Sequence, residues 1–192
     1  PASGNVSVAP GTPAGSYTIT YKICENLNPT NCQTATVTVV VEAAPITADV
    51  ETSAPVNGRD GGNDVINVFA NDELNGVPVT LTSITATVTQ PAVAISGGPV
   101  PVLDPATGLV DVPAGTPAGT YTIGYEICET LNPGNCASSV ATIIVSAAPI
   151  AANADTPAPV NGTDGNPSLI NAFANDKLNG QPLDLAQVNV TI

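Results

Sequence analysis

The chain repeats itself, and this repeat constrains its fold more than any other feature. Residues 1–88 align with residues 105–192 at a constant offset of 104 without a gap, and 49 of these 88 positions are identical. The clearest match pairs VAPGTPAGSYTITYKICENLNPTNC with VPAGTPAGTYTIGYEICETLNPGNC. Solenoid repeats are about 20–50 residues long, so a period of this length predicts that each unit is a domain with its own core.

The composition favours short strands joined by turns. Hydrophobic residues make up 43% of the chain but aromatic residues only 3%, with 17 Gly and 19 Pro and no Met, Trp or His. Val, Ile and Thr favour strands, and Gly and Pro favour the turns between them. Since the period is that of an immunoglobulin domain, we expect an all-β protein of tandem immunoglobulin-like Greek-key β-sandwiches, with 104 residues per repeat.

Two copies of the tetrapeptide AAPI mark the expected domain boundaries. They lie at 43–46 and 147–150, where a β-branched run ends in small residues and a proline. The chain is therefore divided into the C-terminal part of one repeat (1–45), a complete repeat (46–149) and the N-terminal part of the next (150–192). This division predicts a window onto a longer array.

The complete repeat is expected to contain seven strands separated by clusters of turn residues. They are predicted near 47–52, 65–70, 77–88, 92–97, 109–112, 119–129 and 137–146.

Two tyrosines precede the second cysteine pair on one predicted strand. Side chains alternate across a strand, so Tyr121, Ile123, Tyr125 and Ile127 share one face. We expect this face to form the core. The alternative is an exposed aromatic surface for a ligand.

The four cysteines form two pairs with the same spacing, Cys24 with Cys32 and Cys128 with Cys136. Asn-Pro and Gly-Asn between the second pair favour a hairpin turn, which places the two cysteines within disulfide reach. A structural zinc site needs four ligands, and a redox pair has Cys-x-x-Cys spacing, so neither fits. The pattern therefore predicts two structural disulfides and an oxidising, extracytoplasmic compartment.

Recurrent acidic positions raise a calcium hypothesis. Ca²⁺ takes six to eight oxygen ligands, and carboxylates that converge at a domain junction would stiffen an array. The alternative is that Asn-Asp and Asp-Gly are turn formers that cap their own backbone. The candidate calcium ligands are Asp49, Glu51, Asp60, Asp72, Asp155, Asp164 and Asp176.

The charge balance excludes several functions. Three basic residues (Lys22, Arg59 and Lys177) stand against sixteen acidic ones, which argues against binding to nucleic acid or to anionic membrane surfaces. No apolar run approaches the roughly 20 residues that a membrane-spanning helix needs, so no membrane insertion is expected. Because the chain has no His, it offers no Ser-His or Cys-His dyad, and we predict that it is not an enzyme.

Three phrases resemble the repeats of very large surface adhesins of Bacteroidota. They are ANDELNG (Ala70–Gly76), GTPAGTYTIGYEIC (Gly115–Cys128) and NPGNC (Asn132–Cys136), each with a counterpart 104 positions away. The resemblance implies an immunoglobulin-like repeat of a giant secreted protein that is exported by the type IX system and displayed at the cell surface. It implies no catalytic residues.

These observations predict a structural stalk or filament segment that serves cell-surface or cell–cell attachment. Each repeat is expected to contact its neighbours in the same chain, as in other repeat arrays. Exposed strand edges favour side-by-side association of like chains into a parallel bundle. The target cell surface would be bound through other parts of the protein. The rival hypothesis is a glycan- or protein-binding module with a ligand site in the loops of each repeat.

Overall fold

The computed structural model of the chain describes residues 3–191, and its regular structure is almost entirely β-strand. The predicted division into repeats also includes residues 1, 2 and 192, which lie outside this range. A single 3₁₀ turn, Leu185–Gln187, follows the last strand. The strands are β1 Gly15–Cys24, β2 Cys32–Val41, β3 Ile46–Thr47, β4 Glu51–Thr52, β5 Val56–Asn57, β6 Gly62–Asn67, β7 Glu73–Leu74, β8 Val77–Pro78, β9 Ile84–Gln90, β10 Val102–Asp104, β11 Leu109–Val112, β12 Gly119–Glu129, β13 Cys136–Ser146, β14 Ile150–Ala151, β15 Lys177–Leu178 and β16 Gln181–Pro182.

Two sheets pack face to face in the central repeat. One has the strand order β4-β13-β12-β9, with β5 also paired to β13, and the other has the order β10-β11-β6. The chain passes from β6 in the second sheet to β9 in the first, returns for β10 and β11, and comes back for β12 and β13. This is the Greek-key connectivity of an immunoglobulin-like β-sandwich, so the predicted fold class is confirmed.

The core lies between these sheets, and the tyrosine face of β12 forms its centre. Tyr121, Ile123, Tyr125 and Ile127 are 2%, 1%, 0% and 0% exposed, which confirms the predicted core face. From the opposite side the ring of Phe69 meets that of Tyr125 edge-on, with 6.0 Å between the ring centroids. On the other face of β12, Thr120 and Thr122 are exposed and Glu126 and Cys128 are half-buried, as expected for a strand with one face in the core.

The first partial repeat shows the same strand face without its partner sheet. β1 and β2 form a ten-residue hairpin in the register of β12 and β13. Yet Tyr17, Ile19, Tyr21 and Ile23 are 40%, 42%, 46% and 65% exposed. Burial of this face therefore depends on the other half of a repeat and not on the hairpin itself.

The last partial repeat keeps only the short strands of its copy. β14, β15 and β16 pair with one another as β3, β7 and β8 do. Residues 166–171, the counterparts of β6, do not form a strand. β6 is held by pairing with β11, and residues 150–191 include no counterpart of β11. The division into 1–45, 46–149 and 150–192 itself stays a prediction.

Two predicted strands are placed differently in the structure. The predicted strand at 92–97 is wrong, because Ser96 and Gly97 adopt φ of 51° and 72° and turn the chain. The edge strand of the sheet β10-β11-β6 is β10, which lies further along the chain at 102–104. The predicted strand at 77–88 is two strands, since Ser83 donates from its backbone N–H and its hydroxyl to the carbonyl of Thr80, both at 2.9 Å.

Smaller corrections affect the start of the sandwich. The predicted strand at 47–52 is split into β3, which pairs with β7, and β4, which pairs in parallel with β13. The strand predicted at 65–70 lies at 62–67. The strands at 109–112 and 119–129 have the predicted bounds, and β13 begins one residue earlier than predicted. Within residues 3–191 no helix is long or apolar enough to cross a lipid bilayer.

Candidate functional site

Each cysteine pair closes the mouth of one hairpin. The antiparallel register places Cys128 directly opposite Cys136, with 4.0 Å between their Cα atoms and a disulfide bond between their sulfurs. Cys24 and Cys32 are bonded in the same way on β1 and β2, with a Cα–Cα distance of 4.1 Å. Each bond joins neighbouring strands of one sheet, whereas the disulfide of antibody domains joins the two sheets.

The loop between Cys128 and Cys136 is held by its own polar groups. The backbone N–H of Glu129 donates to the carbonyl of Asn135 at 2.9 Å, and the N–H of Asn135 donates to the carbonyl of Asn132 at 2.8 Å. The amide nitrogen of the Asn135 side chain also donates to the Glu129 carboxylate at 2.8 Å. Glu129 is only 5% exposed, so this bond gives its buried carboxyl group a hydrogen-bond partner.

This loop contacts the preceding repeat. Oδ1 of Asn132 accepts a hydrogen bond from the backbone N–H of Ala14 at 2.6 Å. Nδ2 of Asn135 donates to the backbone carbonyl of Ala44 at 2.7 Å. Because both partners are backbone groups, the contact does not depend on which side chains the preceding repeat carries.

The equivalent loop on the first hairpin, between Cys24 and Cys32, is arranged differently. The side-chain amides of Asn28 and Asn31 both donate to the carboxylate of Glu25, at 2.7 and 2.9 Å. The bond from Asn31 and, to a smaller extent, the bond from Asn28 lower the pKa of Glu25. Leu27 at the tip of this loop is 86% exposed.

A second set of side chains joins the complete repeat to the one that follows. Asn179 donates from Nδ2 to both carboxylate oxygens of Asp60, at 2.8 and 2.9 Å, and accepts at Oδ1 from Asn57 at 2.7 Å. Arg59 donates to Oε1 of Gln187 at 2.5 Å. Asn179 has a φ of 56°, a conformation that asparagine adopts more readily than most residues, and its turn presents the amide to the neighbouring repeat.

The internal repeat separates the recurrent part of this junction from the incidental part. Asn57, Asp60 and Asn179 each have an identical residue 104 positions away. The counterparts of Arg59 and Gln187 are a threonine and a serine. The asparagine–aspartate contact can therefore form at every junction of an array, whereas the arginine contact is specific to this one.

Asp72 is bonded to other groups of the fold. Its side chain is fully buried, and Oδ1 accepts from the backbone N–H of Asp49 at 2.8 Å. The Tyr125 hydroxyl lies 3.2 Å from Oδ2. Burial of the carboxyl group is the main cause that raises the pKa of Asp72. Asp176 repeats the backbone contact, since its Oδ1 accepts from the N–H of Asn153 at 2.7 Å.

Of the other candidate calcium ligands, Asp49 and Glu51 lie near Asp72, whereas Asp60 and Asp164 make contacts of their own. Asp60 is bonded to Asn179, and Oδ2 of Asp164 accepts from the side chain of Asn161 at 2.8 Å. Asp49 is exposed, and Glu51 and Asp155 are half-buried. Over residues 3–191 the one group of three acidic or cysteine residues with ligand atoms within 4.8 Å of one another is Glu126, Cys128 and Cys136, whose sulfurs form the disulfide. Calcium binding stays a prediction.

The junction asparagines were not anticipated from the sequence. Asn132 and Asn135 lie in the predicted hairpin turn, and they and Asn179 contact residues 91 to 122 positions away. The available signal was the exact recurrence of these residues in exposed loops. Turn formation requires an asparagine at few of these positions, so the recurrence indicates a further role.

The comparisons with known proteins show likeness in shape. No protein-family model and no curated protein matches the sequence. Solved structures that are similar include repeats EC22–24 of mouse cadherin-23 (14% identity, 69% of this chain and 42% of that one, TM-score 0.38) and the human desmocollin-1 ectodomain (17%, 60% and 22%, TM-score 0.37). Domains 1–4 of protocadherin γB7 give 17% identity over 69% of this chain and 32% of that one, with a TM-score of 0.37. The chain spans less than half of each of these structures, and at these values the likeness assigns no function.

Proposed function

We propose that this chain is a structural segment of an extracellular bacterial adhesin, in which tandem sandwiches form a stalk that holds an adhesive end away from the cell. The observation that carries this proposal is the pair of junctions on the complete repeat. At both of its ends, side chains from loops that recur in the sequence bind the adjoining repeat. Such contacts suit a chain whose task is to span distance.

The chemistry of the chain supports the same function. The two disulfides suit an oxidising compartment outside the cytoplasm. A net charge of −13 keeps an extended molecule soluble and repels other anionic polymers. The resemblance to Bacteroidota surface proteins adds display at the cell surface after type IX export. The buried titratable groups Asp72 and Glu129 are bonded to groups of the fold, which suits a structural role and not catalysis.

Lateral association of like chains is part of this proposal. β9 and β10 each stand at one end of their sheet and are hydrogen-bonded to a single neighbouring strand, so their outer edges offer a place to pair. Parallel bundling would add stiffness without a new binding site. Sedimentation velocity at rising concentration, together with negative-stain images, measures it, and isolated single-chain threads at all concentrations would rule it out.

A replacement experiment tests the stalk function. In the protein that contains this chain, residues 46–149 are replaced by an unrelated disulfide-bonded sandwich of equal length, or are deleted. If the repeat is a spacer, the replacement keeps attachment of the cells, whereas serial deletion of repeats weakens it in proportion to length. If the replacement abolishes attachment while the protein still reaches the surface, the repeat carries a glycan or protein site of its own, and the rival function is correct.

Calcium is not part of this proposal. Asp49 and Glu51 lie near Asp72, and their charges contribute to its raised pKa. An ion at this place would have to displace the bonds of Asp72 to the Asp49 N–H and the Tyr125 hydroxyl. Melting experiments described in the Discussion decide the point.

A further inference from the structure

The complete sandwich carries an open concavity at the end that faces the following repeat. Its volume is about 260 Å³, and it is lined by Gly58, by Thr116 and Ala118, and by Ala147 and Ala148 just beyond β13. The lining is small and uncharged apart from Arg59 at its edge. The concavity is therefore a shaped backbone surface and not a polar site for a small ligand.

Part of the same surface exists one repeat earlier, where a loop of the complete repeat contacts it. Ala14 and Ala44 are the counterparts, at the offset of 104, of two alanines that line the concavity. There the Ala14 N–H binds Oδ1 of Asn132 and the Ala44 carbonyl binds Nδ2 of Asn135. The chain thus shows what covers this surface: the disulfide-closed loop Leu131–Asn135 of the next repeat.

The two copies of the loop show the change that accompanies docking. In the undocked copy, Asn28 and Asn31 both direct their amides to Glu25. In the docked copy, Asn135 keeps this bond, to Glu129, while Asn132 presents its oxygen to the preceding repeat. One asparagine holds the loop in shape and the other makes the contact.

We propose that this loop binds each repeat to the one before it. The concavity beside Ala118 and Ala148 then receives the corresponding loop of a following repeat in the same chain. The inference rests on the proposed function, since it requires an array. Two neutral amides meet an N–H and a carbonyl, so the contact forms between acidic repeats without a bridging ion. The disulfide closes the loop at its base and keeps the asparagines in register with those groups.

The first part of the test uses the chain itself. Asn132→Ala removes the acceptor for the Ala14 N–H, and Asn28→Ala makes the same change in the undocked loop. Hydrogen exchange of the Ala14 amide, followed by NMR, is expected to accelerate about two- to tenfold in Asn132→Ala, the range that one net hydrogen bond supplies. It should not change in Asn28→Ala. Equal exchange in wild type and Asn132→Ala would overturn the proposal.

The second part tests the open concavity. Ile192 corresponds to Val88, so a copy of residues 89–149 appended after Ile192 completes the last repeat and supplies its loop. The Ala118 amide is then expected to exchange about two- to tenfold more slowly than in the 192-residue chain. Alanine at the two loop asparagines of the appended copy should abolish this protection. No protection of Ala118 in the extended chain, with the appended repeat shown to be folded by its buried tyrosines, contradicts the inference.

The outcome is independent of the replacement experiment on the stalk function. Loop docking is read from two amides in purified protein, whereas attachment is read from cells. If the extended chain protects Ala118 only at high concentration, a second copy and not the following repeat supplies the loop, and the proposal as stated fails. Protection that does not vary with concentration supports it.

Discussion

The hydroxyl of Tyr125 lies 3.2 Å from the carboxylate of Asp72, and both side chains are fully buried. The same hydroxyl is 2.8 Å from the carbonyl of Val68. This cluster ties β12 of one sheet to the turn that follows β6 of the other. It is thus a polar link through an otherwise apolar core, and breaking it leaves buried acceptors without a donor.

Tyr125→Phe is expected to destabilise the complete sandwich by about 1–3 kcal/mol, the cost of a buried acceptor without a partner. Urea denaturation followed by circular dichroism measures the change. Tyr21→Phe is the matched control, because Tyr21 holds the same repeat position but is 46% exposed. Equal effects of the two substitutions would show that the hydroxyl network does not stabilise the core.

The stability of the sandwich should depend on the protonation of Asp72. Burial raises the pKa of its carboxyl above the ordinary value of 3.8, so the folded state binds this proton more tightly than the unfolded state. The stability from this group is full below pH 3.8 and is lost as the pH rises through the folded-state pKa. The free energy of unfolding of wild type should therefore rise on acidification relative to that of Asp72→Asn.

Denaturation curves at a series of pH values measure this difference. Asp176→Asn removes a carboxylate that makes the same backbone bond, to Asn153, outside the complete sandwich. It serves as the control for loss of the turn contact alone. If the difference in free energy of unfolding between wild type and Asp72→Asn does not change with pH, the raised pKa of Asp72 is contradicted.

Removal of the second disulfide should cost stability in the complete repeat alone. Cys128→Ser with Cys136→Ser opens a loop of nine residues, which the chain-entropy relation values at about 2.5 kcal/mol. The control pair, Cys24→Ser with Cys32→Ser, opens the same loop on the exposed hairpin and should leave the melting transition of the sandwich in place. Differential scanning calorimetry compares the two, and an equal shift for both pairs would be inconsistent with the prediction.

Gly108 is a position where only glycine fits. It has a φ of 77°, and a Cβ placed there would clash with the ring of Phe69. Gly108→Ala should therefore lower the melting temperature of the sandwich. Gly4 is its repeat counterpart, with a φ of 71° and no atom within 4 Å of such a Cβ, so Gly4→Ala should have no effect on this transition. Similar melting temperatures for both variants would rule out the ring contact as the cause.

Chelation of divalent cations should not change the melting temperature of the complete sandwich. The Asp72 carboxylate is already bonded to Asp49 N–H and Tyr125, and Asp60 is bonded to Asn179. Melts with EDTA, with millimolar Ca²⁺ and with millimolar Mg²⁺ test this. A rise with Ca²⁺ alone would show that the carboxylates rearrange around an ion, as the sequence hypothesis supposed.

Regular local patterns made the core of this fold predictable. Alternation along β12 identified Tyr121 and Tyr125 as core residues, and the recurrent loop between the cysteines identified a hairpin. The strand at 102–104 was missed because Val102 and Leu103 lie between prolines and turn residues, and their strand character comes from pairing with β11. Local sequence does not encode that pairing.

The contacts between repeats were harder to predict from the sequence for the same reason. Asn28 and Asn132 both stand in a Leu-Asn-Pro sequence between two cysteines, yet one binds Glu25 and the other binds Ala14. Asn132 lies beside Ala14 of the preceding repeat. The residues next to either asparagine do not specify a contact with a partner 118 positions away, and only the recurrence of the asparagine hints at it.

The first strands of the sandwich, β4 and β5, run parallel to its last strand, β13. Tension applied along the array enters the repeat near β4 and leaves it after β13, so it pulls these neighbouring strands past each other. The ladder between them is then loaded in shear, and its hydrogen bonds must fail together and not one after another. Resistance to such rupture is governed by the unfolding rate, and the strand direction at this one pairing sets how the proposed stalk would bear force.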